Sequence, residues 1–156
     1  MLPCSVYQDG HHSAHRRHQS GQRAWIVFGG RADHAWQHLL KRGFRHCFAA
    51  IEDEAGWLVL DPLSGRLLLG RIGVPAGYDL PRFYRRAGLT PVGPFVLEDA
   101  IQGASLGWIP LNCVTLCRAV LGQQAPFAVT PAGLHRRLCV LIESRKKNLT
   151  FLSAEG

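Results

Sequence analysis

Apolar positions along the chain change period several times, and each change marks an element. "AWIVF" (24–28) is a short unbroken apolar run and predicts a buried strand. In "GGRADHAWQHLLKRG", Trp36, Leu39 and Leu40 fit a helical stripe, with Asp33 as its cap and Gly43 as its end. "FRHCFAAI" (44–51) is a strand, "EDEAG" a turn, and "WLVLDP" (57–62) the returning strand, stopped by Pro62. After "LSG", "RLLLGRI" (66–72) is a third strand of the same meander. A short helix follows, with Pro81 early and Gly88 at its close. "LTPVGPFVLE" (89–98) adds another strand, and "DAIQGASLGWIP" is a Gly-rich connection.

Two helices end the pattern. The first spans 113–121, capped by Asn112 and ended by Gly122. The second starts from Thr130 with Pro131 in its first position and a stripe of Leu134, Leu138, Leu141 and Ile142. The expected class is α+β: an antiparallel meander with helices packed on it. One domain is expected over 24–143. Residues 1–23 read as a disordered, His/Arg-rich tail and 144–156 as a polar C-terminal tail.

Composition adds limits. Of the 156 residues, 47% are hydrophobic, enough for a core, and 19% are charged. The formal net charge is +7, from 18 Lys+Arg against 11 Asp+Glu. Nucleic-acid binding draws on clustered cations. Here the excess is scattered over Arg16, Arg17, Arg23, Arg85, Arg86, Arg136, Arg137 and 145–147, which speaks against a nucleic-acid partner. The first residues lack an apolar signal core, and no apolar run reaches the roughly 18 residues of a membrane span. The five cysteines are odd in number and form no CxxC, so a reduced, cytoplasmic setting is expected. No cofactor is called for. His11, His15 and His18 would share a face in a helical tail, and His34 and His38 lie one turn apart. A polar tail and a solvated face account for both sets, so no metal site is assigned.

The candidate chemistry lies in "LNCVTLCRAVLG" (111–122). Cys113 falls in the first turn of its helix, where unpaired N–H groups and the macrodipole favour thiolate. The same N–H groups could hold an oxyanion. Against this, Cys113, Leu116, Cys117, Val120 and Leu121 have the spacing of a core stripe. Cys117 and Cys139 are read as structural.

A nucleophile needs a base, and His46 is the candidate, in the middle of an apolar strand. Phe44, His46, Phe48 and Ala50 share one face of that strand. Folding the hairpin back with a four-residue loop puts Asp61 either opposite His46 or diagonal to it, on the same face in both cases. Asp61 would then fix the imidazole tautomer and stabilise imidazolium.

A strand histidine in "GFRHCFAAI", a polar residue ending "WLVLDP" and a later "NC" opening a helix resemble the permuted papain-like superfamily. That superfamily includes permuted NlpC-like peptidases and lecithin:retinol acyltransferase-like proteins. The resemblance covers roughly 44–122. It implies Cys113 as nucleophile, His46 as base and Asp61 as orienting third member. After the cysteine, "VTL" stands where the acyltransferase-like group often has acidic residues and histidine. A likeness to small proteins of phage or prophage type is also noted.

The leading expectation is a cysteine-dependent hydrolase or acyl transferase acting on an amide, ester or thioester carbonyl of a peptide or acyl substrate. Gln102, Tyr78 and Trp108 could line its cleft. The alternatives are a non-catalytic binding or assembly module on the same fold, and a metal- or nucleic-acid-binding protein working through its tail.

Overall fold

The computed structural model describes residues 22–30, 38–63, 66–75, 77–97 and 112–154. The described residues form an α+β fold with one five-stranded antiparallel sheet and three α-helices. The strands are β1 (Arg23–Gly29), β2 (His46–Asp53), β3 (Gly56–Leu63), β4 (Arg66–Ile72) and β5 (Thr90–Val96). The helices are α1 (Leu80–Arg86), α2 (Cys113–Leu121) and α3 (Pro131–Ala154).

The sheet order is β4-β3-β2-β1-β5. The first four strands form the expected meander. β5 does not continue it beyond β4 but returns to pair with β1 at the opposite edge. β1 is therefore interior and covered on both faces, which is why its apolar run is continuous rather than alternating.

Two cores follow from strand parity. On one face Ile26, Phe28, Cys47, Ala49 and Ile51 meet α2 and α3 through Val114, Cys117, Val120, Leu134 and Leu138. On the other, Trp25, Val27, Ala50, Trp57 and Val59 meet α1 through Leu80 and Tyr84. The Trp57 indole donates to the Tyr78 carbonyl at 2.8 Å and ties the approach to α1 onto β3. Gly93 lies where β5 presses on β1, at the register shift between Ala24 and Ile26. A Cβ there would sit 2.7 Å from the Ala24 carbonyl oxygen, and its φ of +151° also favours glycine.

The β2–β3 hairpin sets the register of the candidate site. Asp53 pairs with Gly56, so the turn has only two residues, Glu54 and Ala55. Asp53 Oδ1 accepts from the Ala55 N–H at 2.9 Å. The same carboxylate takes a two-pronged contact from Arg71, at 2.9 and 2.7 Å, which locks β4 to the hairpin.

Four expectations change. Leu39 does not join the core; it is 90% exposed, and His38 and Leu39 form only a 3-10 turn. The rest of that expected helix, with Asp33, His34 and Trp36, lies outside the described residues. Pro62 does not stop β3, which runs to Leu63. The β2–β3 pairing has already ended at Ala49↔Leu60, so the missing proline N–H leaves no gap in that ladder. Residues 144–154, expected as a polar tail beyond the domain, continue α3. Arg145, Lys146 and Lys147 are good helix formers, and no glycine or proline interrupts the run. Arg23 opens β1 and Gln22 accepts from the Leu97 N–H, so the N-terminal tail ends before them. The histidines at 11, 12, 15 and 18 lie outside the described residues. No described helix is long and apolar enough to cross a membrane.

Candidate functional site

Pairing of β2 and β3 stops before His46 and Asp61, so their side chains lie beyond the last rung of the ladder. Extending the register sets Phe48 opposite Asp61 and His46 on the diagonal. On that diagonal His46 Nε2 donates to Asp61 Oδ1 at 2.6 Å. His46 is 5% exposed, the one buried polar or charged residue among those described. Phe48 stacks beside its ring at 6.5 Å, and Tyr84 from α1 meets Phe48 edge-on at 5.4 Å.

Cys113 reaches His46 from α2, on the other face. A capping box holds the start of that helix. Asn112 Oδ1 accepts from the Val114 and Thr115 N–H groups, both at 2.9 Å, and Thr115 Oγ1 accepts from the Asn112 N–H at 2.8 Å. The cap fixes where Cys113 sits. It also occupies N–H groups that the sequence offered to an oxyanion, leaving the Cys113 N–H in the first turn.

The Cys113 thiol is half-buried and lies within interaction range of the His46 imidazole and the Cys47 thiol. With Nε2 held by Asp61, Nδ1 is the ring nitrogen free for exchange with Cys113. Cys47 is fully buried on the α2 face of β2 and also touches Cys117. The three sequence-predicted residues, His46, Asp61 and Cys113, are thus brought together.

The electrostatics differ from the expectation. Burial alone would lower the His46 pKa, but hydrogen bonds and charge from Asp61 and Cys113 outweigh it and raise the value to about 9. Cys113 is pushed up, not down, by the Cys47 thiol and by burial; the His46 contact and the Cys47 N–H pull the other way without prevailing. The environment therefore favours a thiol beside an imidazolium at neutral pH. Burial, with the Asp61 charge behind it, raises Tyr84 to about 12, so its hydroxyl stays neutral.

Sequence reasoning passed over Cys47 and Tyr84. Parity alone put Cys47 on the face opposite His46; only the docking of α2 shows that this face carries the nucleophile candidate. Gln102 and Trp108 lie outside the described residues, and Tyr78 packs its ring against Phe83.

A separate Cys–His pair lies on α3, where Cys139 Sγ is 3.6 Å from His135 Nε2. It borders a cleft of about 550 Å³ with Lys41, Phe44 and Arg136, which contains none of His46, Asp61 or Cys113. Among the described residues no group of three or more His, Cys, Asp or Glu side chains could hold a metal ion. No family model matches the chain, and no curated protein or solved structure matches it.

Proposed function

We propose that the protein is a cysteine-dependent hydrolase or acyl transferase with a Cys113–His46–Asp61 triad in the permuted papain-like order. The observation that carries the reading is the 2.6 Å His46–Asp61 bond, with the Cys113 thiol within interaction range of the same imidazole. Each group supplies what the others lack: a nucleophile, a base, and a carboxylate that orients the base.

In this mechanism His46 starts neutral. Nδ1 takes the thiol proton as Cys113 Sγ attacks an amide, ester or thioester carbonyl. Asp61 stabilises the imidazolium that forms. The Cys113 N–H offers one donor to the oxyanion. Collapse of the tetrahedral intermediate expels the leaving group, which takes its proton from His46. Water or an acceptor then resolves the acyl-enzyme. Because the thiol is pushed up, the pair acts as thiol and base rather than as a resting ion pair, and the active form increases as His46 loses its proton near pH 9.

A second reading, a non-catalytic binding or assembly module, is favoured by the deep burial of His46 and the raised thiol, which also suit a structural cluster. Thiol alkylation of the folded chain between pH 6 and 10 separates the two. The triad predicts that Cys113 labels with iodoacetamide along a rise centred near pH 9 and that Cys113→Ser removes this phase. Cys117→Ser and Cys139→Ser leave it. If Cys113 labels only on unfolding, the triad is wrong and the binding module stands.

A further inference from the structure

The triad leaves one adjacent thiol unused. Cys47 follows His46 on β2 but points to the opposite face, into the core that α2 covers. Cys113 opens α2 and packs against that core, and Cys117 lies one turn further on. Cys47 and Cys117 share one buried cluster with Cys113 packed against it, the Cys47 thiol is within interaction range of both, and all three are free. Cys47 and Cys117 are fully buried, whereas Cys113 is half-buried, so an oxidant from solvent meets Cys113 first.

We propose that Cys47 is a resolving thiol and that Cys47 and Cys113 form a reversible disulfide when the protein meets a hydroperoxide. The chemistry needs two steps. With its proton passing to neutral His46, Cys113 sulfur attacks the terminal peroxide oxygen and the O–O bond breaks. The other oxygen leaves as water or an alcohol, carrying the thiol proton, and Cys113 becomes a sulfenic acid. Cys47 sulfur then attacks the Cys113 sulfur. The S–O bond breaks, the hydroxyl leaves as water with the Cys47 proton, and the disulfide forms. The two thiols lose two electrons in total, and the peroxide gains them. A dithiol reductant returns both thiols.

The position of Cys47 makes the second step local. A sulfenic acid with no thiol beside it is open to further, irreversible oxidation. Here Cys47 lies fully buried in the core that Cys113 packs against, away from solvent. Cys117 shares a helix face with Cys113 and competes for Cys47. The meaning of the link as an on–off control rests on the hydrolase reading; its formation does not.

The test treats the full chain with hydrogen peroxide, blocks remaining thiols with iodoacetamide after unfolding, and maps peptides by mass spectrometry without reduction. The expected product is a Cys47–Cys113 cross-linked peptide, with Cys113 labelling lost and then restored by dithiothreitol. In Cys47→Ala and Cys47→Ser, Cys113 should pass to sulfinic acid, and dithiothreitol should restore little of the labelling. A wild-type map showing Cys113 sulfinic acid with free Cys47, or a Cys47–Cys117 link instead, overturns the proposal. The wild-type map needs no variant to fold. A cross-link without carbonyl-transfer activity defeats the hydrolase reading alone; activity without a cross-link defeats this one alone.

Discussion

His46 and Asp61 are joined across a splayed hairpin end by a 2.6 Å bond, so the imidazole is held by a carboxylate from a neighbouring strand. Asp61 opposes the effect of burial on the ring and keeps the His46 pKa high, at about 9. Removing that carboxylate should therefore have two opposite effects.

Asp61→Asn should move the midpoint of Cys113 alkylation from about pH 9 down toward the ordinary histidine value of about 6.5, because the imidazolium loses its counter-charge. Any carbonyl-transfer activity should fall at the same time, by on the order of a hundred-fold or more, since the ring loses its fixed tautomer and the stabilisation of its charged form. Alkylation profiles and activity on one preparation check both. An unchanged midpoint would show that Asp61 does not control His46.

Stability should depend on pH through the same pair. His46 binds its proton more tightly folded than unfolded, so its contribution is complete below about pH 6.5 and is lost as pH rises through about 9. A shift of that size is worth about 3 kcal/mol. Urea melts between pH 6 and 10 should show the decline, and His46→Gln should flatten it between about 6.5 and 9. Above that window the raised Cys47 and Cys113 thiols continue the loss, because the unfolded chain ionises them first.

Asn112→Ala should cost about 1 kcal/mol of stability by leaving the Val114 and Thr115 N–H groups without their cap. Those groups then become available near the Cys113 sulfur, and the first turn loses its anchor. Urea unfolding gives the first quantity. A broader, less defined Cys113 alkylation profile should accompany it.

Leu67, Leu68 and Leu69 are exposed on β4, which is an edge strand among the described residues, a combination that invites strand pairing between chains. Leu68→Lys should reduce concentration-dependent association in light scattering while changing unfolding stability by less than about 0.5 kcal/mol. If association is unaffected, that edge is not its route.

The hairpin was legible in the sequence because parity is robust. Both loop placements considered put His46 and Asp61 on one face, and the two-residue turn that forms keeps that parity. The diagonal register depended on where the turn closed, and this is decided by Asp53, which binds Ala55 and Arg71 at once. The return of β5 to β1 was not legible, since its local pattern suits any edge of a sheet. The upward push on Cys113 was hidden for a related reason. A helix start alone favours thiolate, but the neighbouring Cys47 and the burial come from how α2 docks. The length of α3 was missed because polar residues on an exposed helix carry no periodic apolar signal.

The base and its carboxylate are only 15 positions apart, inside one hairpin, whereas the thiol comes from a helix that begins far downstream. A nascent chain thus has the His46–Asp61 hairpin in hand before Cys113 is synthesised. Until α2 docks, Cys113 has neither His46 nor Cys47 beside it and ionises as an ordinary thiol; completing the fold is what brings thiol and imidazole together and holds the proton on the sulfur.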